Sequence, residues 1–199
     1  MVPVLGDHPH LEDAVASLAE QTYGEVEILI VHDTARAARC EPLRTLPLSN
    51  VRVLAHAGPY VEALNAGIEA ATGAFVVIHG ADDRSHPQRF ARQVAYLRAH
   101  PEIGVLASAT GTVDALRLAE GHDDGHADDH VSWTPDAIEV RLRRGPCFDH
   151  GSAIARRAAV REAGGYQLRA GSPPDHDLWL RLVSRVRFAK LPTRLYLRR

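Results

Sequence analysis

The sequence is short of cysteine, of long apolar runs and of net charge, and each shortage excludes a class of protein. The two cysteines, Cys40 and Cys147, lie far apart at no spacing typical of a metal or redox site, which favours a reducing compartment. No apolar run approaches the length of a membrane-spanning helix, about 20 residues. The formal net charge of -2 over 199 residues argues against nucleic-acid binding, which normally needs a strongly basic face.

The first residues also lack the features of a secretory signal. Val2-Pro3-Val4-Leu5 follows the initial methionine with no basic segment and no long apolar core. The sequence therefore predicts a cytoplasmic protein without a transmembrane segment. Basic residues become frequent only from Arg181 to Arg199, which is compatible with peripheral contact with an anionic membrane or with an ordinary solvated face.

What is present is the composition of an ordinary globular protein. Apolar residues make up 45% and charged residues 24% of the chain, and both values are typical of soluble domains. A chain of this length can bury a core without disulfide or metal staples, and it fits a single domain over residues 1–199.

Strand and helix patterns alternate in the first half of the chain. Amphipathic helices separate apolar, β-branched runs that predict strands at 2–5, 26–32, 51–55, 74–78 and 103–107. Ser85 and Gln88 match a capping box, which predicts a helix start at Ser85. The alternation predicts an α/β fold with three layers, α/β/α, around a mostly parallel central sheet. After residue 110 the rhythm fails, and a smaller, mixed half is expected to complete a cleft.

Carboxylates follow two of the predicted strands. Asp82 and Asp83 come after the run that ends at Ile78, and Asp33 follows the strand that ends at His32. Ligands of parallel α/β sheets bind beyond the carboxyl ends of the strands, so these acids are expected to gather at one edge. A divalent cation shared with a substrate phosphate would offset the repulsion between Asp82 and Asp83. The alternative is that all three acids are ordinary loop and turn residues.

Further candidate positions come later in the chain. Asp175 and His176 stand at the start of a predicted helix anchored by Trp179, where the helix dipole alone also favours an acid. His150 is a candidate cleft residue. The His/Asp-rich segment 122–130 matches no known zinc spacing and is expected to be an exposed loop.

These residues belong to a longer set that resembles family 2 glycosyltransferases of the GT-A fold. The resemblance runs in order and spacing from Pro3 to about Arg199, and it rests on several short motifs taken together. The motifs are Ser17-Leu18, Gln21-Thr22-Tyr23, Leu64-Asn65-Ala66-Gly67-Ile68, Gly73, Ala81-Asp82-Asp83, Pro87, Arg89, Gln93-Val94, Leu97, His100-Pro101-Glu102-Ile103-Gly104, Asp149-His150-Gly151-Ser152, Arg156-Arg157, Gly164-Gly165-Tyr166 and Asp175-His176-Asp177-Leu178-Trp179-Leu180-Arg181-Leu182.

The resemblance implies an activity and a division of the chain. It implies a transferase that moves a sugar, with inversion, from a UDP-, GDP- or dTDP-sugar to an acceptor hydroxyl in cell-envelope polysaccharide biosynthesis. It also implies that residues 1–110 bind the nucleotide sugar and that residues 111–199 face the acceptor.

The resemblance further implies roles for individual residues. Asp175 matches the catalytic base of the family's Glu-Asp pair. Asp82 matches the last acid of the family's Asp-x-Asp motif, which binds the divalent cation, Mg²⁺ or Mn²⁺, on the diphosphate, and Asp83 stands beside it as a second candidate ligand. The remaining expected site residues are Pro3, Val4 and Asp33 with Asp82 for the nucleotide, and His150 and His176 for the acceptor cleft.

The chain departs from the family pattern at two acids. Gly80 stands where the Asp-x-Asp motif has its first acid, and Pro174 stands where a glutamate precedes the base. Mg²⁺ often binds through one or two carboxylates together with phosphates and waters, so the loss of one acid is compatible with metal use. The departures keep open a second hypothesis, a nucleotide-sugar-binding pseudoenzyme or partner subunit. A sugar-phosphate nucleotidyltransferase is disfavoured, because residues 5–10 lack a glycine-rich, basic triphosphate loop.

Overall fold

The fold is seen in a computed structural model that describes residues 1–6, 8–33, 50–113 and 134–199. Cys40 and the predicted loop at 122–130 lie outside the described residues. The elements, in chain order, are β1 (Val2–Val4), α1 (Leu11–Ala19), β2 (Ile28–His32), β3 (Val51–Ala55), α2 (Tyr60–Ala70), β4 (Phe75–Val76), β5 (Arg84–Ser85), α3 (Arg89–Ala99), β6 (Ile103–Thr112), α4 (Pro135–Leu142), a 3₁₀ turn (His150–Ser152), β7 (Ile154–Arg156), α5 (Arg157–Glu162), α6 (Pro174–Leu182) and β8 (Arg187–Arg198).

The first sheet is parallel and has the order β1-β2-β3. All five residues of β2 are buried, as expected for a β-branched strand that is covered on both faces. Val2 pairs with Ile30 and Val4 pairs with His32 in the β1–β2 register. Helix α1 buries Leu11, Val15 and Leu18 against this sheet, as the sequence pattern predicts.

The second sheet is mixed and has the order β4-β7-β6-β8-β5. Strands β6 and β8 are parallel, whereas β7 is antiparallel to both β4 and β6, and β5 is antiparallel to β8. The apolar run at 186–191 predicts a final strand that ends at Leu191, whereas β8 continues to Arg198. The α/β class predicted from the sequence is confirmed, with the parallel pairs of the first half followed by a mixed second half.

Backbone hydrogen bonds at Met1 join the two sheets. The amino group of Met1 donates to Val77 O at 2.9 Å, and His79 N donates to Met1 O at 2.9 Å. Met1 thus bonds to Val77 and His79, the residues on either side of Ile78. This is the hydrogen-bond pattern of parallel strands, so the two segments run in parallel. The carboxyl ends of β1, β2 and β4 therefore point to one edge, where ligands of α/β sheets bind.

The segment before α3 differs from the capping-box prediction, which is wrong. Ser85 lies in β5, and α3 begins at Arg89 after Gln88, whose side chain makes no capping hydrogen bond. The Ser85 hydroxyl instead accepts from Arg89 Nη1 at 3.0 Å and donates to His79 Nε2 at 3.1 Å. The Ser85 hydroxyl therefore takes part in a buried polar network and does not cap the helix.

Arg89 is the centre of that network and is completely buried. Besides Ser85 Oγ, its guanidinium donates to Gln93 Oε1 at 3.1 Å and to Gly151 O at 2.5 Å. The aromatic ring of Tyr196 lies 5.0 Å from the guanidinium carbon. Burial lowers the pKa of Arg89 to about 10. One cation thus ties β5, α3, the 3₁₀ turn and β8 together.

Among the described residues, no helix is long and apolar enough to cross a membrane.

Replacement of Arg89 by methionine, which roughly preserves volume, should strip three buried oxygens of their donor. Hydrogen bonds to charged groups contribute about 1.5–3 kcal/mol each, and unsatisfied buried acceptors are costly, so we expect a loss of about 3 kcal/mol in the free energy of unfolding. The matched control is Arg92→Ala on the exposed face of the same helix, which should change stability by less than about 0.5 kcal/mol. Equal urea midpoints for parent and Arg89→Met would contradict the assignment.

Candidate functional site

His79 is the first residue of the acidic loop, which we define as residues 79–83, and it is fully buried. Its Nδ1 donates to Gly80 O at 2.8 Å, because a carbonyl can only accept, and its Nε2 accepts from the Ser85 hydroxyl at 3.1 Å. Burial, with a smaller contribution from the charge of Arg89, lowers the pKa of His79 to about 3. The imidazole is therefore neutral at neutral pH.

Asp82 lies at the mouth of the loop and connects it to the segment that follows β1. Its Oδ2 is 2.7 Å from His8 Nδ1, and its Oδ1 accepts from the backbone N–H of His10 at 3.1 Å. The side chains of Asp82 and His8 are 31% and 25% exposed, so both remain within reach of a ligand. A carboxylate has about four acceptor sites, which leaves two of them available on Asp82.

Asp83 is held from the other side of the loop by the end of the chain's last strand. Its Oδ2 accepts from the Tyr196 hydroxyl at 2.5 Å, and its Oδ1 accepts from Arg199 N at 3.1 Å. A Cβ built at Gly80 would overlap Asp83 Oδ2 and would approach the Tyr196 hydroxyl to 3.0 Å. The Asp83 carboxylate therefore fills the space beside Gly80, and burial together with Asp83 raises the pKa of Tyr196.

Three of the expected nucleotide-binding residues lie at the carboxyl ends of β1 and β2. Asp33 directly follows β2 and is half-buried. Pro3 and Val4 are part of β1, where Val4 is buried in the core beneath the sheet and Pro3 is partly exposed. The side chain of Val4 is thus engaged in packing, and Pro3 and Asp33 are the side chains that a ligand at this edge can reach.

Asp175 is the second residue of α6 and is half-buried. Its charge raises the pKa values of Tyr60 and Tyr166, although burial is the larger cause for both tyrosines. Tyr60 begins α2, which follows β3, so it stands at the carboxyl edge of the parallel sheet. The charge of Asp175 thus acts on the first residue of the helix that follows β3.

His150 joins this group through a hydrogen bond of 2.6 Å between its Nε2 and the Tyr166 hydroxyl. The ring of Trp179 packs edge-on against the imidazole, with centroids 5.7 Å apart. Loss of hydration lowers the pKa of His150 to about 4, although the charge of Asp175 acts in the opposite direction. His150 is therefore a neutral, fixed side chain beside Asp175.

Asn65 holds Tyr166 in place from α2. Its side-chain Nδ2 donates to Tyr166 O at 2.9 Å, and its Oδ1 accepts from Tyr166 N at 2.8 Å. The preceding Gly165 has a φ of +65°, and a Cβ there would lie 2.5 Å from Asn65 Oδ1. Glycine is needed for this close approach, which explains why the Gly-Gly-Tyr motif and Asn65 occur together.

His176 and Asp177 follow Asp175 but have different surroundings. His176 Nδ1 is buried and makes no hydrogen bond within the described residues. Asp177 is buried and accepts from Arg181 Nε at 2.8 Å, and it pairs with Arg169 Nε at 3.1 Å. Asp177 is thus bound up in fixing α6, whereas Asp175 remains available at its start.

The acidic loop and the group around Asp175 meet at Gly151. Its carbonyl accepts from Arg89, and a Cβ at this position would overlap the Tyr196 hydroxyl that holds Asp83. His150 is the adjacent residue. The turn that carries His150 is therefore packed directly against the side chains that hold the acidic loop.

Sequence reasoning missed four side chains that shape this edge: His8, Tyr60, Tyr166 and Tyr196. Tyr166 belongs to the Gly164-Gly165-Tyr166 motif, but no pattern in the neighbouring sequence indicates that it contacts His150. Tyr60 is 42% exposed, and an exposed aromatic at the start of a helix is the one feature that sequence alone could have flagged.

A well-formed cavity among the described residues lies elsewhere. It has a volume of about 290 Å³ and is lined mainly by residues 25–29 and 73–78. These segments are at the amino end of β2 and around β4, so the cavity lies chiefly behind the acidic loop and away from the edge that carries Asp33 and Asp82.

The sequence of this chain matches a known family. The model of glycosyl transferase family 2 matches residues 1–164. The chain belongs to glycosyl transferase family 2. It is 30% identical over 184 residues to the amylovoran biosynthesis glycosyltransferase AmsE of Erwinia amylovora, a match that covers 88% of this chain and 64% of that protein.

A second relative is the O-antigen biosynthesis protein RfbC of Myxococcus xanthus, with 29% identity over 177 residues, 86% of this chain and 13% of that protein. The family 2 chain thus spans less than two thirds of the length of these curated relatives.

Solved structures share the fold of this family 2 chain. S. aureus TarS 1-349 in complex with UDP-GlcNAc superposes with a TM-score of 0.73 at 19% identity, over 98% of this chain and 56% of that chain. The mannosyltransferase PcManGT from Pyrobaculum calidifontis, in complex with GDP-Man and Mn²⁺, gives 0.72 at 21% identity, over 98% and 55%. The GT-A fold expected from the sequence is confirmed.

The two neutral histidines make stability depend on pH. An unfolded histidine binds a proton near pH 6.5, whereas folded His79 does so only at about pH 3. The unfolded state therefore binds more protons between these values, and the free energy of unfolding falls as the pH decreases through this window. Denaturation of the parent and of His79→Asn between pH 6 and 4.5 should show a slope smaller by about 1 kcal/mol per pH unit in the variant. The same change at the partly exposed His100 serves as control, and equal slopes for parent and His79→Asn would refute the burial of a neutral imidazole.

Proposed function

We propose that this chain transfers a sugar from a nucleotide-diphosphate sugar to an acceptor hydroxyl with inversion, and that Asp175 is the general base. The observation that carries the proposal is the position of Asp175. It is half-buried at the start of α6, it acts electrostatically on Tyr60 and His150, and the turn of His150 is packed against the acidic loop. The base, Asp175, and the acid that would bind the diphosphate through a cation, Asp82, would thus face one cleft.

The chemistry needs a proton acceptor and a charged group at the leaving diphosphate. Asp175 would take the proton of the acceptor hydroxyl while its oxygen attacks the anomeric carbon from the face opposite to the nucleotide. The bond between the anomeric carbon and the diphosphate oxygen breaks, and the nucleoside diphosphate leaves with the electron pair. His150, neutral and held by Tyr166, would border the acceptor without competing for the proton, and His176 stands beside it in the chain.

Asp82 is the residue that would hold a divalent cation. When bound, Mg²⁺ or Mn²⁺ neutralises the charge that develops on the leaving diphosphate. Asp82 is partly exposed and retains acceptor sites, which fits a hard cation, whereas Asp83 is tied to the end of β8 through Tyr196 and Arg199. Asp83 therefore orients the loop more than it serves as a ligand.

The donor would lie along the edge formed by β1, β2 and β4. Asp33 can accept from a nucleobase N–H or a ribose hydroxyl, and Pro3 offers an apolar surface beside it. Solved neighbours of the same fold contain UDP-GlcNAc in one case and GDP-Man with Mn²⁺ in another. A UDP- or GDP-sugar is therefore the donor class we propose to test first, with dTDP-sugars as a third class, and the amylovoran and O-antigen relatives favour a cell-envelope polysaccharide as product.

A specific observation favours a second candidate, a nucleotide-sugar-binding protein without turnover. Gly80 supplies no carboxylate, and the Asp83–Tyr196 pair fills the space beside it. A thermal-shift screen with UDP, GDP, dTDP and their sugars, with and without Mn²⁺, identifies the bound nucleotide, because a ligand of the folded state raises the melting temperature. Release of nucleoside diphosphate from the sugar that binds then separates the enzyme from the binding protein.

Asp175→Asn tests the base directly. The amide retains the shape of the side chain but cannot accept the proton, so we expect a loss of about 10²–10⁴-fold in kcat. Nucleotide affinity should be unchanged, because the base contributes to the transition state rather than to donor binding. The matched control, Asp177→Asn, should lower the melting temperature instead, since it breaks the pairs with Arg181 and Arg169. Turnover of Asp175→Asn within a few-fold of the parent would show that Asp175 is not the base.

A further inference from the structure

We propose that His8 is a ligand of the divalent cation and takes the place of the acid that Gly80 lacks. This inference rests on the proposed function, in which Asp82 holds that cation. It assigns a new residue, in the segment after β1, to the diphosphate end of the cleft.

The first step is that the two carboxylates of the loop have different neighbours. Position 80 has no side chain, and the Asp83 carboxylate accepts from the Tyr196 hydroxyl and from Arg199 N, at and just after the end of β8. Asp82 is therefore the loop carboxylate that lies beside the segment after β1.

The second step is the position of His8. Its Nδ1 lies 2.7 Å from Asp82 Oδ2, and both side chains are partly exposed on the cleft side. Neighbouring ligands of an octahedral cation are about 3 Å apart, because the metal–ligand bonds are about 2.1 Å long and meet at right angles. A carboxylate only accepts, so the imidazole of His8 donates its Nδ1–H to Asp82 in this arrangement. His8 would present Nδ1 to a cation in the tautomer that carries the proton on Nε2, and waters and phosphate oxygens would take the other positions.

The third step is that a backbone N–H group orients the Asp82 carboxylate. The N–H of His10 donates to Asp82 Oδ1 at 3.1 Å, so the carboxylate is oriented by a bond that does not depend on the imidazole of His8. A ligating carboxylate is commonly held in this way by a further hydrogen bond. The imidazole of His10 itself is directed towards Asp13, at 4.0 Å, which makes it a matched control.

An imidazole ligand has a consequence for metal preference. Nitrogen donors favour Co²⁺ over Mn²⁺, and they do little for Mg²⁺, which prefers oxygen. The parent should therefore bind Co²⁺ more tightly than Mn²⁺ and Mn²⁺ more tightly than Mg²⁺. His8→Ala should weaken Co²⁺ binding about 10- to 100-fold, in line with the loss of one group from a metal site, and should change Mg²⁺ binding much less.

The experiment uses Mn²⁺ as probe, alone and with saturating UDP or GDP, on the full chain and on folded variants checked by circular dichroism. Electron spin echo modulation of bound Mn²⁺ should show a directly bound ¹⁴N in the parent and in His10→Ala, and none in His8→Ala. Co²⁺ and Mg²⁺ affinities follow from competition with Mn²⁺.

The outcomes separate this inference from the proposed function. Mn²⁺ that binds without a ¹⁴N signal but is lost in Asp82→Ala would overturn the role of His8 and leave the cation at Asp82. Tighter Mn²⁺ binding by His8→Ala would also overturn it, because the imidazole would then compete with the cation. Absence of Mn²⁺ binding by the parent, or its persistence in Asp82→Ala, would overturn both.

Discussion

The buried guanidinium of Arg89 is the interaction on which the candidate site depends. A charge without contact with water is tolerated only where its donors are satisfied, and here the acceptors are a serine hydroxyl, an amide oxygen and the carbonyl of Gly151. Ser85 and Gln93 lie four residues before and after Arg89, whereas Gly151 is 62 positions away. Gln93, held by Arg89, donates in turn to Leu106 O and Ser152 O, so the network extends into β6 and the 3₁₀ turn. The relative placement of the acidic loop and of His150 follows from this one group.

The sequence was sufficient for the parallel half of the fold and much less so for the mixed half. The apolar run of β2 and the amphipathic spacing of α1 both follow from which residues are buried, so the sequence alone predicts these two elements. The length of β8 was underestimated because Pro192, Thr193 and Arg194 interrupt the apolar pattern, and only the pairing with β6 shows that the strand continues through 195–198. The helix start at Ser85 was wrong because a hydroxyl with several potential partners is assigned by tertiary contacts that a local pattern does not contain.

The site residues divide in the same way. Asp33 and Asp82 follow strands, and an acid at a strand end is visible in sequence because topology alone puts strand ends together. His8, Tyr166 and Tyr196 act through partners more than 15 positions away, as His150 for Tyr166 and Asp82 for His8 illustrate. Such pairs have no periodicity or spacing of their own. Only the motif as a whole, matched to a family, indicated that these segments meet.

The distribution of charge around the site has a consequence for the ligand. The positive charge of Arg89 is enclosed in the protein, and His79 and His150 are neutral at neutral pH because burial disfavours their charged forms. His79, beneath the acidic loop, thus adds no positive charge to it, and Arg199 lies beside the loop, where it donates to Asp82 O and to Asp13. In the function proposed above, an anionic diphosphate at this loop would need a positive charge between itself and Asp82. A cation that enters with the ligand would supply that charge, which is why the donor atoms of Asp82 and its neighbours are the ones to test.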